Sequence, residues 1–293
     1  MRRWWKNARE VVVGEGAVTV VLAHGYGVSQ ASWDKIIPSI SHVGKVLLFD
    51  WDFAAGAIEE GDFKFGRFAD DLIALMDERE VRGAVFVGHS MSAMVGCIAS
   101  ARRPNLFAHL VLLCASPRYI DSKEDGYIGG FEEAPINAML DALESDFQAW
   151  VKGFVPNAAR CATVVEPIER TFLAMDQTVA LGVARMIFLG DQREALDVVP
   201  VPCTIIQVRD DFVAPLVVAE YMQRRMAMAG TDTVVEIVES VGHFPQLVAS
   251  ARVAAILDGV LLRLRDKEGH GVHTLVPAAG EVEVDDAAID VTM

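Results

Sequence analysis

The sequence predicts an α/β fold in which a mostly parallel central sheet is flanked by helices on both faces. Three observations carry that expectation. Short β-branched runs alternate with longer amphipathic stretches, and several of the runs are apolar on successive residues, as strands buried on both faces must be. The alternation then stops between Pro117 and Pro200, where only helical patterns follow one another.

Taken in order, the strands are read at 11–13, 18–23, 45–50, 84–88, 110–114, 204–208 and 233–238. The intervening helices are read at 33–40, 68–79, 92–102, 217–228 and 251–264, each punctuated by Gly, Pro or Asp. The interruption reads as four helices at 135–143, 145–154, 165–175 and 177–190, with breakers at Pro156 and Asp176. An insertion on the carboxyl edge of a parallel sheet sits over the place where such folds bind ligands, so it is expected to act as a lid. The expected organisation is one domain over 1–265, with its core at 1–118 and 199–265 and a helical lid at about 119–198, followed by a tail at 266–293.

That tail combines Gly269, Gly271, Pro277 and Gly280 with acids and small residues, and it is expected to be disordered. The whole chain carries 26 Lys and Arg against 41 Asp and Glu, a formal charge of −15. Seven of the acids (Asp266, Glu268, Glu281, Glu283, Asp285, Asp286 and Asp290) face one Lys267 in the tail, which therefore holds −6 and leaves −9 on the body. Such a balance opposes nucleic acid and anionic lipid as partners and suits small neutral or apolar ligands. No apolar run reaches the ~18–20 residues of a membrane helix. Trp4 and Trp5 lead into polar Asn7, Arg9 and Glu10 rather than an apolar secretory core. The expectation is a soluble cytoplasmic protein, its separated cysteines Cys97, Cys114, Cys161 and Cys203 acting as buried small hydrophobes.

The chemistry concentrates in Gly88-His89-Ser90-Met91-Ser92, where a buried strand turns sharply into a helix. A serine at such an elbow exposes its hydroxyl, and the next backbone N–H, that of Met91, lies at a positive helix N-terminus where an oxyanion can be held. The usual elbow ends in Gly; this one ends in Ser92. An acid-bearing loop, Arg209-Asp210-Asp211-Phe212-Val213-Ala214-Pro215, follows a later strand, and Gly242-His243-Phe244-Pro245 follows the next. Ser, Asp and His, each just past a strand, come in the order of the α/β hydrolases. Ser90 is then the nucleophile, His243 the base and Asp211 the orienting acid; Asp210 competes for the last role, and the spacing of Asp211 to Pro215 favours Asp211. His24-Gly25-Tyr26-Gly27 after an early strand offers the Tyr26 N–H as second oxyanion donor.

Other polar residues have plainer readings. His24 and His89 are expected to be hydrogen-bonded packing residues, Asp50 and Asp52 to shape the mouth, and Asp70 and Asp71 to lie on the outer face of a helix. His270 and His273 make a poor pair for a metal, and no metal or cofactor is expected. Phe131, Phe147, Trp150, Phe154, Phe172 and Phe188 are expected as apolar walls of a pocket under the lid.

Over residues 7–265 the chain resembles the plant strigolactone and karrikin receptor-hydrolases and their bacterial stress-regulator relatives. The resemblance rests on His24-Gly25-Tyr26-Gly27 with Gln30, Trp33 and Pro38, the Ser-ended elbow, and Ser100-Ala101-Arg102-Arg103-Pro104-Asn105-Leu106-Phe107. Ala115-Ser116-Pro117-Arg118-Tyr119, Gly129-Gly130-Phe131-Glu132 and Gly242-His243-Phe244-Pro245-Gln246 complete it. Trp33-Asp34-Lys35-Ile36-Ile37-Pro38, Phe49-Asp50-Trp51 and Asp71-Leu72-Ile73-Ala74-Leu75-Met76 look most like the clade called DWARF-fourteen-like two. The resemblance implies a core sheet under a four-helix lid, the triad and oxyanion amides already named, and a butenolide or similar small ester as ligand. It also implies ligand-dependent partners of the F-box type and a place in the cytoplasm and nucleus. Slow ligand sensing and generic carboxylester hydrolysis require the same triad, so both stay open beside a dedicated hydrolase.

Overall fold

The structure is a computed structural model that describes residues 3–269 apart from 17, 41–43, 55 and 57–60. His270, His273 and the rest of the tail from residue 270 lie outside the described residues.

Among the described residues seven strands form one sheet: β1 (Trp5–Val12), β2 (Thr19–Ala23), β3 (Lys45–Trp51), β4 (Ala84–His89), β5 (Phe107–Leu113), β6 (Cys203–Asp210) and β7 (Thr233–Val241). Their order is β1-β3-β2-β4-β5-β6-β7, with only β1 antiparallel to its neighbour. The period-two geometry of a strand divides the apolar runs between two cores. Val21, Leu47, Phe86, Leu112 and Ile205 pack on one face; Val20, Leu22, Val46, Val85, Val87 and Ile206 pack on the other. The first face is covered by α1 (Phe65–Glu78), α2 (Met91–Arg102) and α7 (Leu216–Met228), the second by α9 (Ser250–Gly269). A short α8 (Pro245–Val248) precedes α9.

Between β5 and β6 come α3 (Glu133–Ser145), α4 (Phe147–Ala159), α5 (Ala162–Leu173) and α6 (Gln177–Leu189). Asp146 and Asp176 cap α4 and α6 by accepting the N–H groups of Ala149 and Val179 at 2.9 and 3.0 Å. Pro156 does not break its helix as its type suggests. It removes one backbone donor, and α4 runs on to close at Arg160 in a left-handed conformation (φ 49°).

Four other expectations are corrected. The first strand starts at Trp5, well before Val11, because an edge strand with one wet face can carry Lys6, Arg9 and Glu10; Asn7, at φ 52°, marks its irregularity. Residues 33–40 form no continuous helix but two 3₁₀ turns, Gln30–Trp33 and Ile37–Ile40, with Pro38 in the second. α9 continues to Gly269, past the start read for the tail. Cys161 is only partly buried, unlike the other three cysteines.

Asp71 is the sixth correction. It is 6 % exposed rather than on an outer face, because the segment entering β1 crosses α1: Trp4 stacks on Phe68 at 4.6 Å and its N–H donates to Asp71 Oδ2 at 2.6 Å. Arg67 donates to the other oxygen at 2.9 Å. Burial pushes the carboxyl up, opposed by the Trp4 N–H and Arg67. Asp71→Ala removes the acceptor of both bonds and is expected to cost about 2–3 kcal/mol in urea unfolding. Asp70→Ala, at an exposed pair with Arg102, should change stability by less than about 1 kcal/mol. Equal, small losses in both would contradict the clamp.

No single helix among the described residues is long and apolar enough to cross a membrane.

Candidate active site

Ser90 lies between β4 and α2 at φ 54° and ψ −120°, a conformation that L residues adopt at a cost of about 1–3 kcal/mol. The turn is tight: its N–H donates to Leu113 O at 2.8 Å, and a Cβ on Gly88 would meet Ser92 O at 2.6 Å. Packing thus holds the hydroxyl forward.

The residues that follow β6 and β7 meet it there. His243 Nε2 lies 2.8 Å from Ser90 Oγ, and His243 Nδ1 lies 2.8 Å from Asp211 Oδ2. All three are nine-tenths buried or more. Asp211 Oδ1 accepts the Val213 and Ala214 N–H groups at 2.8 and 3.2 Å, while Gln207 Nε2 reaches Oδ2 at 3.3 Å. Burial alone would raise this carboxyl. The facing imidazole and the two amides outweigh that effect and hold it below the ordinary carboxylate range. An ionised Asp211 fixes the proton of His243 on Nδ1 and leaves the Nε2 lone pair for the serine proton.

Asp210, the competing acid, turns away to an exposed ion pair with Arg160 at 3.1 Å. His89 is buried, its pKa pushed down to about 3 by desolvation and by His243 beside it, and its neutral ring donates to His243 O at 2.7 Å. His24 accepts the Trp51 N–H on Nε2 at 2.9 Å. Both serve as struts. Asp50 accepts from Gln30 and Asn7, and Asp52 pairs with Lys6, so Asp50 ties the turn after β2 and β1 to β3, and Asp52 ties β1 to the end of β3.

The loop after β2 approaches the elbow closely, since a Cβ on Gly25 would lie 2.7 Å from the His89 ring and 3.1 Å from Ser90 Cβ. Tyr26 follows. Among the described residues neither its backbone N–H nor that of Met91 has a hydrogen-bond acceptor, which leaves two donors free for a developing oxyanion.

Of the six aromatic residues read from the sequence, five form one connected cluster. Trp150 stacks on Phe154 at 4.8 Å and on Phe147 at 6.4 Å, Phe172 stands edge-on to Trp150 at 5.8 Å, and Phe188 to Phe154 at 6.4 Å. The cluster reaches Tyr26 through Phe172 and Tyr119 through Phe188, both at 5.0 Å. Phe131 stands apart, against the exposed Phe212 at 5.8 Å.

Two residues without a sequence-derived role join the site. The buried Tyr119 hydroxyl interacts with Ser90, and desolvation pushes its pKa far up, so it stays a donor. In the sequence it shows only as the end of the Ala115-Ser116-Pro117-Arg118-Tyr119 stretch shortly after β5. The Cys114 thiol lies with His243 and Asp211 so that their ligand atoms are within 4.8 Å of one another. Burial and the Asp211 charge push that thiol well above its usual range, the opposite of the thiolate that a metal requires.

Residues 20–256 match the model of the alpha/beta hydrolase family. The chain is 38% identical to karrikin insensitive 2 receptor CA of Petunia hybrida over 255 residues, 84% of this chain and 92% of that protein. It is 39% identical to strigolactone esterase D14 of Arabidopsis thaliana over 260 residues, covering 86% and 95% respectively. Among solved structures, a hydrolase from Oleispira antarctica superposes with a TM-score of 0.80 at 22% identity, over 87% of this chain and 94% of that one.

Proposed function

The chain belongs to the alpha/beta hydrolase family, in the group that contains plant strigolactone esterases and karrikin receptors, and we propose that it cleaves a small apolar ester or butenolide through Ser90. The observation that carries this reading is the unbroken hydrogen-bond chain from Ser90 through His243 to Asp211, set beside two unused backbone N–H groups.

Ser90 Oγ attacks the carbonyl carbon while His243 Nε2 takes its proton, and Asp211 stabilises the imidazolium that forms. The negative charge on the former carbonyl oxygen is met by the Tyr26 and Met91 N–H groups. Collapse breaks the bond to the leaving oxygen, which takes the proton from His243 and departs. A water molecule then attacks the acyl-serine, gives a proton to His243, and the second collapse returns that proton to Ser90 and frees the acid. Phe147, Trp150, Phe154, Phe172 and Phe188, under a lid formed by α3–α6, supply apolar walls that favour a neutral ligand.

The relatives' names include both "esterase" and "receptor", which supports a second reading: slow hydrolysis in the service of sensing. The resemblance read from the sequence extends that reading to ligand-dependent protein partners of the F-box type, in the cytoplasm and nucleus. One comparison separates the two. Both stereoisomers of a butenolide and an activated aryl ester are given to the wild-type protein. Turnover of one butenolide isomer about once per minute or slower, with a ligand-induced rise in melting temperature, is the expected result for a sensor. Rates of ~1–10³ per second on every ester would mark an unselective esterase instead.

A further inference from the structure

The two oxyanion donors are held in different ways. The Met91 N–H is fixed by α2 in the core, whereas Tyr26 lies in a loop tied to the lid from two sides. Its own phenol donates to Ala180 O of α6 at 2.8 Å, and the Thr171 hydroxyl of α5 donates to Gly27 O at 2.6 Å. Gly27, at φ 74°, has the Phe172 ring where a Cβ would stand, only 2.0 Å away, and Phe172 is edge-on to Tyr26 at 88°. The N-cap of α6 is bound to the core as well, through Asp176 N–H to Phe53 O at 3.0 Å, and Phe53 also packs edge-on against Tyr26 at 6.2 Å.

We propose that the hydroxyls of Tyr26 and Thr171 are positioning groups that latch the oxyanion loop to the lid, so that the hole is complete only while α5 and α6 are seated. The inference rests on the reading that the Tyr26 N–H receives the oxyanion. A backbone donor helps only if it is held within a fraction of an ångström of the developing charge. Glycines on both sides of Tyr26 leave the loop little stiffness of its own, so the two hydroxyls supply it. Lid displacement then lowers the rate of the chemical step as well as the hold on ligand. Burial pushes the Tyr26 phenol's pKa far above its ordinary value, so it remains a donor at any working pH.

The test uses Tyr26→Phe, Thr171→Val and Thr171→Ser in the full chain, with Ser90→Ala as control. An aryl ester gives kcat and KM, and an aryl phosphonate, whose adduct places an anionic oxygen in the hole, gives a labelling rate. Tyr26→Phe and Thr171→Val are each expected to lower kcat and the labelling rate about tenfold while KM moves less than about twofold. Thr171→Ser should restore both rates. The latch is overturned if both variants keep kcat within about twofold of wild type while Ser90→Ala is inactive, or if Thr171→Ser fails to restore what Thr171→Val loses. Full turnover by Ser90→Ala would instead remove the underlying reading, and the latch with it.

Discussion

Ser90→Ala is expected to lower ester hydrolysis by about 10⁴-fold or more, to the rate that the remaining oxyanion donors and the pocket can sustain with water as nucleophile. The protein should stay folded, because the change removes one oxygen at a position whose backbone is fixed by β4, α2 and the bond to Leu113 O. The left-handed φ is no easier for Ala than for Ser, so no stability is gained either. Ser90→Gly relieves that conformation and should raise the melting temperature while being equally inactive. An inactive variant that is at least as stable as wild type separates chemistry from fold at this residue. Circular dichroism melts beside aryl-ester kinetics make the comparison.

Asp211→Asn is expected to cost about 10⁴-fold in kcat with little change in KM. The oxygen facing Val213 and Ala214 can be kept, which turns the new amide NH₂ toward His243. His243 must then accept on Nδ1, its proton moves to Nε2, and it can no longer take the serine proton. A change in pH dependence of stability accompanies this. The folded carboxyl lies below its unfolded value, so it adds stability above the unfolded pKa and loses that contribution as pH falls through the folded one. The stability gap between wild type and Asp211→Asn should therefore narrow from pH 7 toward about pH 3. A gap that widened on acidification would contradict the ionised Asp211.

What the sequence could and could not convey follows from how local each signal is. Ser90, Asp211 and His243 are legible because each sits directly beyond a strand whose consecutive apolar residues identify it, and Gly88 and Gly242 mark two of the turns. The central strands are legible for the same reason. β1 is not, because Lys6, Arg9 and Glu10 satisfy an edge strand's wet face while resembling a loop. Asp71 reads as surface until Trp4, 67 residues away, is laid across α1. Tyr119 gives no periodic signal, and its role depends on where the chain turns after β5. Phe131 carries the same residue type as the clustered aromatics but meets Phe212 instead, a difference that only the path of the chain decides.

The nucleophile itself is the most direct point of test. Wild type and Ser90→Ala are mixed with a butenolide or aryl ester, quenched in acid within the first turnover, and weighed intact, followed by digestion to locate any added mass. An acyl group on the peptide holding Ser90, formed at least as fast as turnover and absent from Ser90→Ala, is the predicted result. Turnover without an adduct at Ser90, and undiminished in Ser90→Ala, would contradict it.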